Sequence, residues 1–280
     1  MKKTLLYLST LLICFVTYNS NAQHSQLWGM TGTNVFHYNS DTLNLRVDYT
    51  FPLTNDAKQP GYCSLTDGLN GKLYGYTYNG GINDNGVLFE YDTTTEVYTK
   101  KIDFDAYGVR HPAGQPILYN GKFYGVTSEG GTGSAGTIFE WDPNTNVYIT
   151  KYNFIGGTTD GQFPSAALTL HNGKFYGTTY FGGLNNGGSI FEFNPSNGAY
   201  ACKKFLNGTN TSQYPRCALT AIGNKLYGTG TQGGASNNSG GLFEYDLTLD
   251  TVKLKASFDQ FTVGKNPYSE PILFNGKGYI

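Results

Sequence analysis

Residues 122–142 read Lys-Phe-Tyr-Gly-Val-Thr-Ser-Glu-Gly-Gly-Thr-Gly-Ser-Ala-Gly-Thr-Ile-Phe-Glu-Trp-Asp, and this stretch decides the fold because it recurs along the chain. Each copy keeps Lys, Leu or Phe, Tyr and Gly, followed by Phe, Glu and an aromatic residue. The tyrosines of the four copies are Tyr74, Tyr124, Tyr176 and Tyr227, which subtraction places 50, 52 and 51 residues apart. A fixed period of this size is typical of repeat architectures, in which each unit buries its apolar faces against its neighbours.

Each repeat predicts four short strands, which we name A to D, and no helix. In the copy around residue 122, strand A covers 112–119 and ends at Asn120-Gly121, a pair that favours a two-residue hairpin turn. Strands B, C and D follow at 122–128, 136–142 and 147–154, with a glycine-rich loop between B and C. The 3.6-residue period and the capping boxes that predict helices do not occur.

Units of four strands over about 40–50 residues are typical of β-propeller blades. We therefore predict an all-β fold, a β-propeller of about five four-stranded blades. The repeats lie near 26–51, 60–104, 112–154, 164–206 and 215–258, with a partial repeat at 267–280. The first repeat lacks strand A, so strand A at 267–274 is expected to pair beside 26–30 and close the ring. Because Ile280 falls inside a repeat, we also expect a truncated part of a longer repeat protein.

Residues 1–22 predict a signal peptide, which leaves 23–280 as the repeat domain. Lys2 and Lys3 form a positive start, an apolar run covers 5–16, and Ser-Asn-Ala at 20–22 predicts the cleavage site. The apolar run is too short for a membrane span and no second one follows. We therefore expect a secreted or cell-surface protein with no membrane span after cleavage.

The charge and cysteine content exclude several classes of partner. Without Lys2 and Lys3 the chain has 17 basic and 20 acidic residues, a net charge of −3. Nucleic acids and anionic membranes both require clustered Lys and Arg, so we expect neither as a partner. Cys63 and Cys217 lie shortly after repeat prolines, where other repeats carry only small residues, so we expect them to pack as small apolar side chains.

The repeated pattern resembles a known family. The motif is Asn-Gly-Lys-(Leu/Phe)-Tyr-Gly-x-Thr-x-x-Gly-Gly, then small residues, then (Ile/Leu)-Phe-Glu-aromatic, and it resembles the GloVer tandem repeat of exported bacterial proteins. The resemblance covers nearly all of 26–280. The strand order also looks like quinoprotein-type propeller blades, although their tryptophan docking signature is absent. The Asn-Ala-Gln end of the leader is similar to Bacteroidetes secretion signals, which implies type IX secretion. The family carries no established catalytic residues.

The repeated polar residues are expected to be structural. One glutamate recurs in each strand C, and these copies lie in different blades, so they cannot converge on one site; they are Glu90, Glu140, Glu192 and Glu244. We predict Lys72 opposite Asp92 and Lys122 opposite Asp142 as cross-strand ion pairs. The mid-strand glycines, such as Gly177, are expected to leave room for an aromatic ring of the adjacent blade.

The sequence offers few residues for catalysis. Glycoside hydrolysis requires a pair of carboxylates, and strand A provides only Glu270 and, at its edge, Asp67. These two are the catalytic candidates. The histidines are His24, His37, His111 and His171, and none lies at metal-ligand spacing from another ligand. We therefore expect neither a metal nor a cofactor.

The long, variable connections predict where recognition occurs. With four alternating strands, the B–C and D–A loops share one face, and loops on a rigid scaffold commonly carry binding residues. The candidate ligand-binding residues in or beside these loops are Tyr107, Arg110, His111, Asp160, Phe181, Tyr214, Arg216 and Lys265. Aromatic rings with a few polar groups suit a sugar or a protein surface.

We therefore predict a secreted, monomeric, non-catalytic β-propeller that binds an extracellular glycan or protein at its loop-rich face. Two alternatives stay open. One is a glycan-active enzyme, a hydrolase or lyase, that uses the central channel near Glu270 and Asp67. The other is a structural repeat array within a larger surface protein.

Overall fold

The structure, a computed structural model, describes residues 16–18, 26–31, 33–51, 57–58, 63–208, 211–235, 238–261, 264–275 and 277–279. Most of the predicted signal peptide lies outside these residues. The chain divides into two compact units, Met1–Asp105 and Ala106–Ile280. The described part of the chain contains no helix with the length and apolar character that crossing a bilayer would require.

The first unit contains two four-stranded antiparallel sheets. The first sheet orders its strands as β1 (Val16–Tyr18), β2 (Gln26–Met30), β3 (Asn34–Asn39) and β4 (Asn44–Thr50). The second orders them as β5 (Thr66–Asp67), β6 (Lys72–Thr77), β7 (Val87–Asp92) and β8 (Val97–Asp103). A single 3₁₀ turn, Phe104–Tyr107, follows β8.

The second unit repeats the same plan three times and adds a hairpin. Its first sheet contains β9 (Val109–Tyr119), β10 (Lys122–Gly130), β11 (Thr137–Asp142) and β12 (Val147–Asn153). The next contains β13 (Gly161–Pro164), β14 (Thr169–His171), β15 (Lys174–Gly182), β16 (Ser189–Phe193) and β17 (Tyr200–Phe205). The third contains β18 (Ser212–Pro215), β19 (Thr220–Ile222), β20 (Lys225–Gly233), β21 (Gly241–Asp246) and β22 (Thr251–Ser257). The hairpin is β23 (Ile272–Phe274) with β24 (Lys277–Tyr279).

The all-β fold and the up-and-down strand order of each repeat are confirmed, but strand A differs from the prediction. In two sheets it is split, so that β13 pairs with the end of β15 and β14 pairs with its start. The segments 156–162 and 207–214, predicted as loops, therefore end in short strands. The repeat proline has no N–H to donate, but it does not cause the split by itself, because Pro112 lies at the same position inside the unbroken strand β9.

The first and last described strands pair with their neighbours along the chain. Val16–Tyr18 takes the position of strand A beside β2, in a repeat where the sequence predicted none. Strand β23 pairs with β24, the strand that follows it. An edge strand offers unpaired N–H and C=O groups, and in the structure the neighbouring segment of the chain satisfies them.

The mid-strand glycines accommodate aromatic rings, but from the facing strand of the same sheet and not from the adjacent sheet. Gly177 lies opposite Phe191, and a Cβ at Gly177 would lie 2.3 Å from Cζ of that ring. Gly228 and Phe243 repeat the arrangement, with a distance of 2.6 Å. The ring can lie flat across the facing strand only because glycine has no side chain there.

Sheets of the second unit pack face to face through aromatic residues. The rings of Phe154 and Phe191 meet edge to face at 5.2 Å between centroids, and both residues are completely buried. The rings of Tyr152 and Tyr200 stack at 3.5 Å. Strand C is buried on both faces, as the buried run from Thr137 to Trp141 shows. This two-sided burial is what the repeat pattern predicted.

A Lys–Tyr–Glu cluster recurs in four sheets and holds strand B to strand C. In one copy Lys122 Nζ lies 2.6 Å from Glu140 Oε1, and Tyr124 donates its hydroxyl to Glu140 Oε2 at 2.7 Å. The other copies are Lys72–Tyr74–Glu90, Lys174–Tyr176–Glu192 and Lys225–Tyr227–Glu244. In three of the four copies a strand D lysine also lies within 4.0 Å of the carboxylate, as Lys151 does at 3.4 Å from Glu140. The glutamates therefore have the structural role that the sequence predicted.

The predicted ion pairs of Lys72 and Lys122 form with a different partner. Lys72 does lie opposite Asp92 in the ladder, yet its ammonium contacts Glu90 at 2.7 Å. Asp92 instead accepts backbone N–H groups of Thr94 and Thr95, both at 2.9 Å, and caps the C–D turn. The lysine bonds the buried glutamate because a buried carboxylate without a partner costs far more than an exposed one.

Successive repeats of the second unit meet at a seam where a proline ring lies on a glycine. A Cβ at Gly188, whose φ is +95°, would lie 2.4 Å from the carbonyl oxygen of Thr179 and 2.9 Å from Cδ of Pro215. Gly136 with Pro164 and Gly240 with Pro267 repeat this contact. Glycine is therefore required at each seam, both for its φ and for the close approach of the next repeat.

The two buried cysteines fill small spaces, as predicted. Cys217 is buried, and its sulfur lies 3.2 Å from the hydroxyl of Thr229. Cys63 is also buried, and burial raises the pKa of its thiol. The described cysteines, Cys63, Cys202 and Cys217, are all free thiols.

We predict that Tyr124→Phe lowers the free energy of unfolding by about 1.5–3 kcal/mol, because it removes a hydrogen bond to a charged, buried carboxylate. Tyr91→Phe is the matched control, since the Tyr91 hydroxyl is buried and has no hydrogen-bond partner among the described residues. Urea unfolding should show no loss for the control. Equal losses in the two variants would contradict the role of the cluster.

The same clusters predict a loss of stability in acid. Burial by itself raises the pKa of Glu140, but hydrogen bonds from Lys122 and Tyr124 outweigh it, and the pKa lies below its ordinary value. A depressed pKa stabilises the folded state above the unfolded value of roughly 4.3, and this contribution is lost as pH falls through the folded value. Urea unfolding between pH 7 and pH 3 should show this decline, with a smaller slope in Glu140→Gln. An unchanged slope in that variant would contradict the assignment.

Candidate functional site

The residue before each of four repeat prolines, Pro112, Pro164, Pro215 and Pro267, adopts an unusual backbone conformation. Phe163 and Tyr214 have φ values of 57° and 56°, and His111 and Asn266 occupy the same position with 57° and 53°. This left-handed region is uncommon for any residue except glycine and strained for bulky ones. The seam explains how it persists, because the N–H of Phe163 donates to Ala135 O and that of Tyr214 to Gly187 O, each at 2.8 Å.

These hydrogen bonds bring the D–A segment of one repeat onto the B–C loop of the repeat before it. Within the second unit the two kinds of loop therefore meet at one end of the sheets, as the strand order predicted. The pre-proline side chains lie at that end, beside the last residues of strand B, because β13 and β18 pair with the ends of β15 and β20. The position is structurally constant, while the residue type changes from repeat to repeat.

A group of half-buried and exposed rings forms at this end, and we call it the aromatic surface. It consists of Phe163, Tyr180, Phe181, Tyr214 and Tyr268, together with Arg216. Ring centroids lie 4.4 Å apart between Tyr180 and Phe181, and 5.3 Å apart between Tyr180 and Tyr214. Phe163 extends the group, with its ring 6.1 Å from that of Phe181. Tyr268 is 61% exposed, whereas Phe154 and Phe191 between the sheets are fully buried.

Arg216 supplies the positive charge of the aromatic surface. Its guanidinium carbon lies 4.1 Å from the centroid of Tyr180 and 5.8 Å from that of Tyr268. A guanidinium over an aromatic face is attracted by the electron-rich ring. The arginine is exposed to solvent, so this contact orders the side chain without burying its charge.

The hydroxyl groups of the aromatic surface differ from those of the tyrosines in the Lys–Tyr–Glu clusters. Tyr124 and Tyr176 each donate to a glutamate within the sheet. By contrast, the hydroxyls of Tyr180, Tyr214 and Tyr268 form no hydrogen bond with any residue that the structure describes. The surface therefore combines apolar ring faces with polar groups that are free to bind a ligand.

The structure brings Phe181, Tyr214 and Arg216 together, out of the eight predicted ligand-binding residues. The Tyr107 ring packs at a tilt against that of Tyr148, with 4.3 Å between centroids, outside the aromatic surface. Arg110 pairs with Glu129, its Nε lying 2.9 Å from the carboxylate.

The remaining predicted residues are His111, Lys265 and Asp160. His111 occupies the pre-proline position of an earlier repeat. Lys265 is exposed, with Nζ 3.4 Å from Gln260 Oε1. Asp160 is 3% exposed and accepts the hydroxyls of Tyr152 and Tyr200, at 2.9 and 2.6 Å. We assign Asp160 a structural role between sheets, since its carboxylate also accepts two backbone N–H groups.

Three residues of the aromatic surface were missed by sequence reasoning: Phe163, Tyr180 and Tyr268. Two signals point to them. Phe163 precedes a repeat proline, a position at which the chain varies between His, Phe, Tyr and Asn. Tyr180-Phe181 is a pair of aromatic residues where strand B of the preceding repeat carries Ser128-Glu129. No comparable signal distinguishes Tyr268 from the other tyrosines of the chain.

The two candidate catalytic carboxylates lie in different units. Asp67 accepts the backbone N–H of Leu69 at 2.7 Å and stabilises a turn. Glu270 is exposed as a residue, yet the protein around its carboxyl group excludes enough water that burial raises its pKa. Among the described residues, Glu270 forms no hydrogen bond or ion pair.

A cavity of about 350 Å³ lies between the sheets of β15 and β20, at the end that carries the A–B turns. Its lining includes Lys174, Tyr176 and Glu192, which already bond one another. The polar groups there are therefore occupied by the fold. Within the described ranges, no group of three or more His, Cys, Asp or Glu side chains could hold a metal ion.

Solved structures with the same kind of fold show low sequence identity. A chain of the nidogen/laminin complex has a TM-score of 0.59 at 12% identity, and the match covers 94% of this chain and 86% of that one. The extracellular domain of a one-component system from B. thetaiotaomicron has a TM-score of 0.60 at 14% identity, over 92% of this chain and 30% of that one. TolB from Acinetobacter baumannii has a TM-score of 0.50 at 14% identity, over 81% and 49%.

These similarities show the fold alone, a β-propeller-like repeat fold. The chain spans about half the length of TolB, at 49%, and less than a third of the B. thetaiotaomicron domain, at 30%. No curated protein matches the sequence significantly. The model of the Gloeobacter/Verrucomicrobia repeat matches residues 107–279, more than half of the chain. The chain therefore belongs to the Gloeobacter/Verrucomicrobia repeat family, as its motif predicted.

Proposed function

We propose that this chain is a non-catalytic binding module of an exported β-propeller with about five blades, and that its aromatic surface binds an extracellular glycan. The observation that carries the proposal is the cluster of half-buried rings at the loop end of the second unit. Contiguous apolar patches are rare on monomeric proteins and commonly mark a binding site.

The chemistry of the cluster favours a sugar. A pyranose presents a face of C–H groups that packs on an aromatic ring, and hydroxyls around its edge that need hydrogen-bond partners. Tyr180, Tyr214 and Tyr268 offer ring faces together with hydroxyls that no described residue uses. A purely apolar surface would instead favour a protein partner whose own apolar residues are buried on binding.

The backbone strain at the pre-proline position supports a functional role for the aromatic side chains. A bulky residue in the left-handed region costs of order 1–3 kcal/mol, and asparagine tolerates that region better. Asn266 occupies the same position one repeat later. Phe163 and Tyr214 are therefore suboptimal for folding, and a binding role explains why rings stand there.

Export is part of the proposal and has two supports. The first residues have the charge and apolar pattern of a signal peptide. One similar structure is the extracellular domain of a bacterial protein. A bacterial glycan outside the cell is therefore a ligand that the protein would encounter.

We predict that Tyr214→Asn weakens glycan binding but changes the free energy of unfolding by less than about 1 kcal/mol. Relief of about 1 kcal/mol of strain offsets the loss of ring contacts worth about 0.5–1.5 kcal/mol. A glycan array identifies the ligands, and calorimetry then compares affinities. Tyr180→Ala should weaken binding at least about tenfold.

Tyr107→Ala is the matched control, since it removes a half-exposed ring that lies outside the aromatic surface. Its affinity should equal that of the unmodified protein. Unchanged affinity in both Tyr180→Ala and Tyr214→Asn would contradict the proposal. If the glycan array shows no ligand, and a captured protein loses its binding in Tyr180→Ala, the protein alternative is favoured.

A second candidate function, a glycan-active enzyme, is favoured by one observation: the raised pKa of Glu270 suits a general acid. In that case the array ligands would be cleaved, and Glu270→Gln would abolish the turnover. We predict that neither the unmodified protein nor the Glu270→Gln variant cleaves these ligands. Cleavage would be measured as release of reducing ends and as absorbance of unsaturated products. Turnover that Glu270→Gln removes would defeat the non-catalytic function.

A further inference from the structure

The three arginines of the chain have different electrostatic surroundings. Arg46 contacts Glu96 at 2.6 Å and Asp48 at 3.4 Å, and Arg110 contacts Glu129 at 2.9 Å. Arg216 forms no ion pair with any described residue, although it is exposed like the other two. The aromatic surface thus carries one cation whose charge the described protein does not neutralise.

The position of Arg216 preserves its ability to bind an anion. A guanidinium that lies over an aromatic ring uses its flat face, and the N–H donors point outward in its plane. These donors match the two oxygens of a carboxylate in a paired, bidentate geometry. The contacts with Tyr180 and Tyr268 hold the group near one orientation, which reduces the entropy lost on binding.

Glu270 is the acidic residue in the strand A segment of the following repeat, the segment that also carries Tyr268. Its carboxyl group makes no ion pair among the described residues, so it leaves the guanidinium free. The cationic neighbour Lys265 lies in the same inter-repeat segment and is also exposed. Neither Glu270 nor any other described carboxylate therefore neutralises Arg216 by direct contact.

We propose that Arg216 makes the aromatic surface selective for acidic oligosaccharides, those in which a sugar ring bears a carboxylate. This inference rests on the proposed glycan-binding function. Tyr180 and Tyr214 pack against the sugar ring, and Arg216 pairs with the carboxylate of the same or the adjacent sugar. Neutral sugars of the same configuration lack the group that Arg216 recognises.

The test uses matched oligosaccharide pairs and the complete chain. Hexasaccharides of gluco, galacto and manno configuration are each prepared as the neutral sugar, as the C6 carboxylate and as the C6 sulfate ester. Calorimetry should show at least one carboxylate ligand that binds roughly tenfold or more tightly than its neutral partner, and more weakly as NaCl is raised. The sulfate esters distinguish recognition of a carboxylate from recognition of any anion.

Variants assign the effect to Arg216. Arg216→Gln should weaken carboxylate binding about tenfold to a hundredfold and change neutral binding by less than about threefold, while Arg216→Lys should restore only part of the loss. Arg110→Gln, which removes an arginine already paired with Glu129, should change neither. Thermal unfolding checks that all variants fold.

The outcomes separate the inference from the function on which it rests. If neutral and acidic partners bind equally and Tyr180→Ala weakens both, the glycan-binding function stands and the selectivity is wrong. If no hexasaccharide binds, both fail. If sulfate esters bind as tightly as carboxylates, or if Arg216→Gln has no effect on acidic ligands, recognition of a carboxylate by Arg216 is overturned.

Discussion

The contact between a proline ring and a glycine governs how each repeat of the second unit meets the next. Pro215 lies against Gly188, and no other residue fits between them, because any Cβ would collide with both the ring and a carbonyl oxygen. In the sheets of β15 and β20 the proline is the last residue of β13 and of β18, the first short piece of strand A. The residue before it, Tyr214, adopts a left-handed conformation and donates its N–H to Gly187 O. The seam contact and the pre-proline conformation therefore occur together.

Two groups of tyrosines in this protein differ in the partner of the hydroxyl. Tyr124 and its equivalents donate to a buried glutamate that a lysine also neutralises, so that the polar groups of the sheet are satisfied within the sheet. Such clusters stabilise because every member has a partner. Tyr180 and Tyr214 lack such partners and lie at the loop end. A high tyrosine content therefore indicates neither stability nor binding by itself. The surroundings of each ring and of its hydroxyl decide the role.

The sequence was sufficient for the strand order, the buried strand C and the structural role of the repeated glutamates, because these follow from local patterns with a fixed period. The sequence was insufficient where a contact depends on which partners the folded chain brings close to a side chain. Lys72 pairs with the buried Glu90 and not with the directly opposite Asp92, because a buried carboxylate without a partner costs more than an exposed one. Asp160 looked like a loop carboxylate, but the approach of Tyr152 and Tyr200 from two sheets buries it. The aromatic surface combines residues from several repeats, and such a combination cannot be read from any one copy.

The pre-proline position has a consequence for how such repeats diversify. Its N–H is held at the seam by a main-chain hydrogen bond, as from Tyr214 N to Gly187 O, and that hydrogen bond does not depend on which side chain the residue carries. His, Phe, Tyr and Asn already occupy it in successive copies. A lineage can therefore exchange this residue, one repeat at a time, and alter what the molecule recognises while leaving its framework unchanged. The same freedom would let protein engineers substitute the pre-proline residue of each repeat independently of the others.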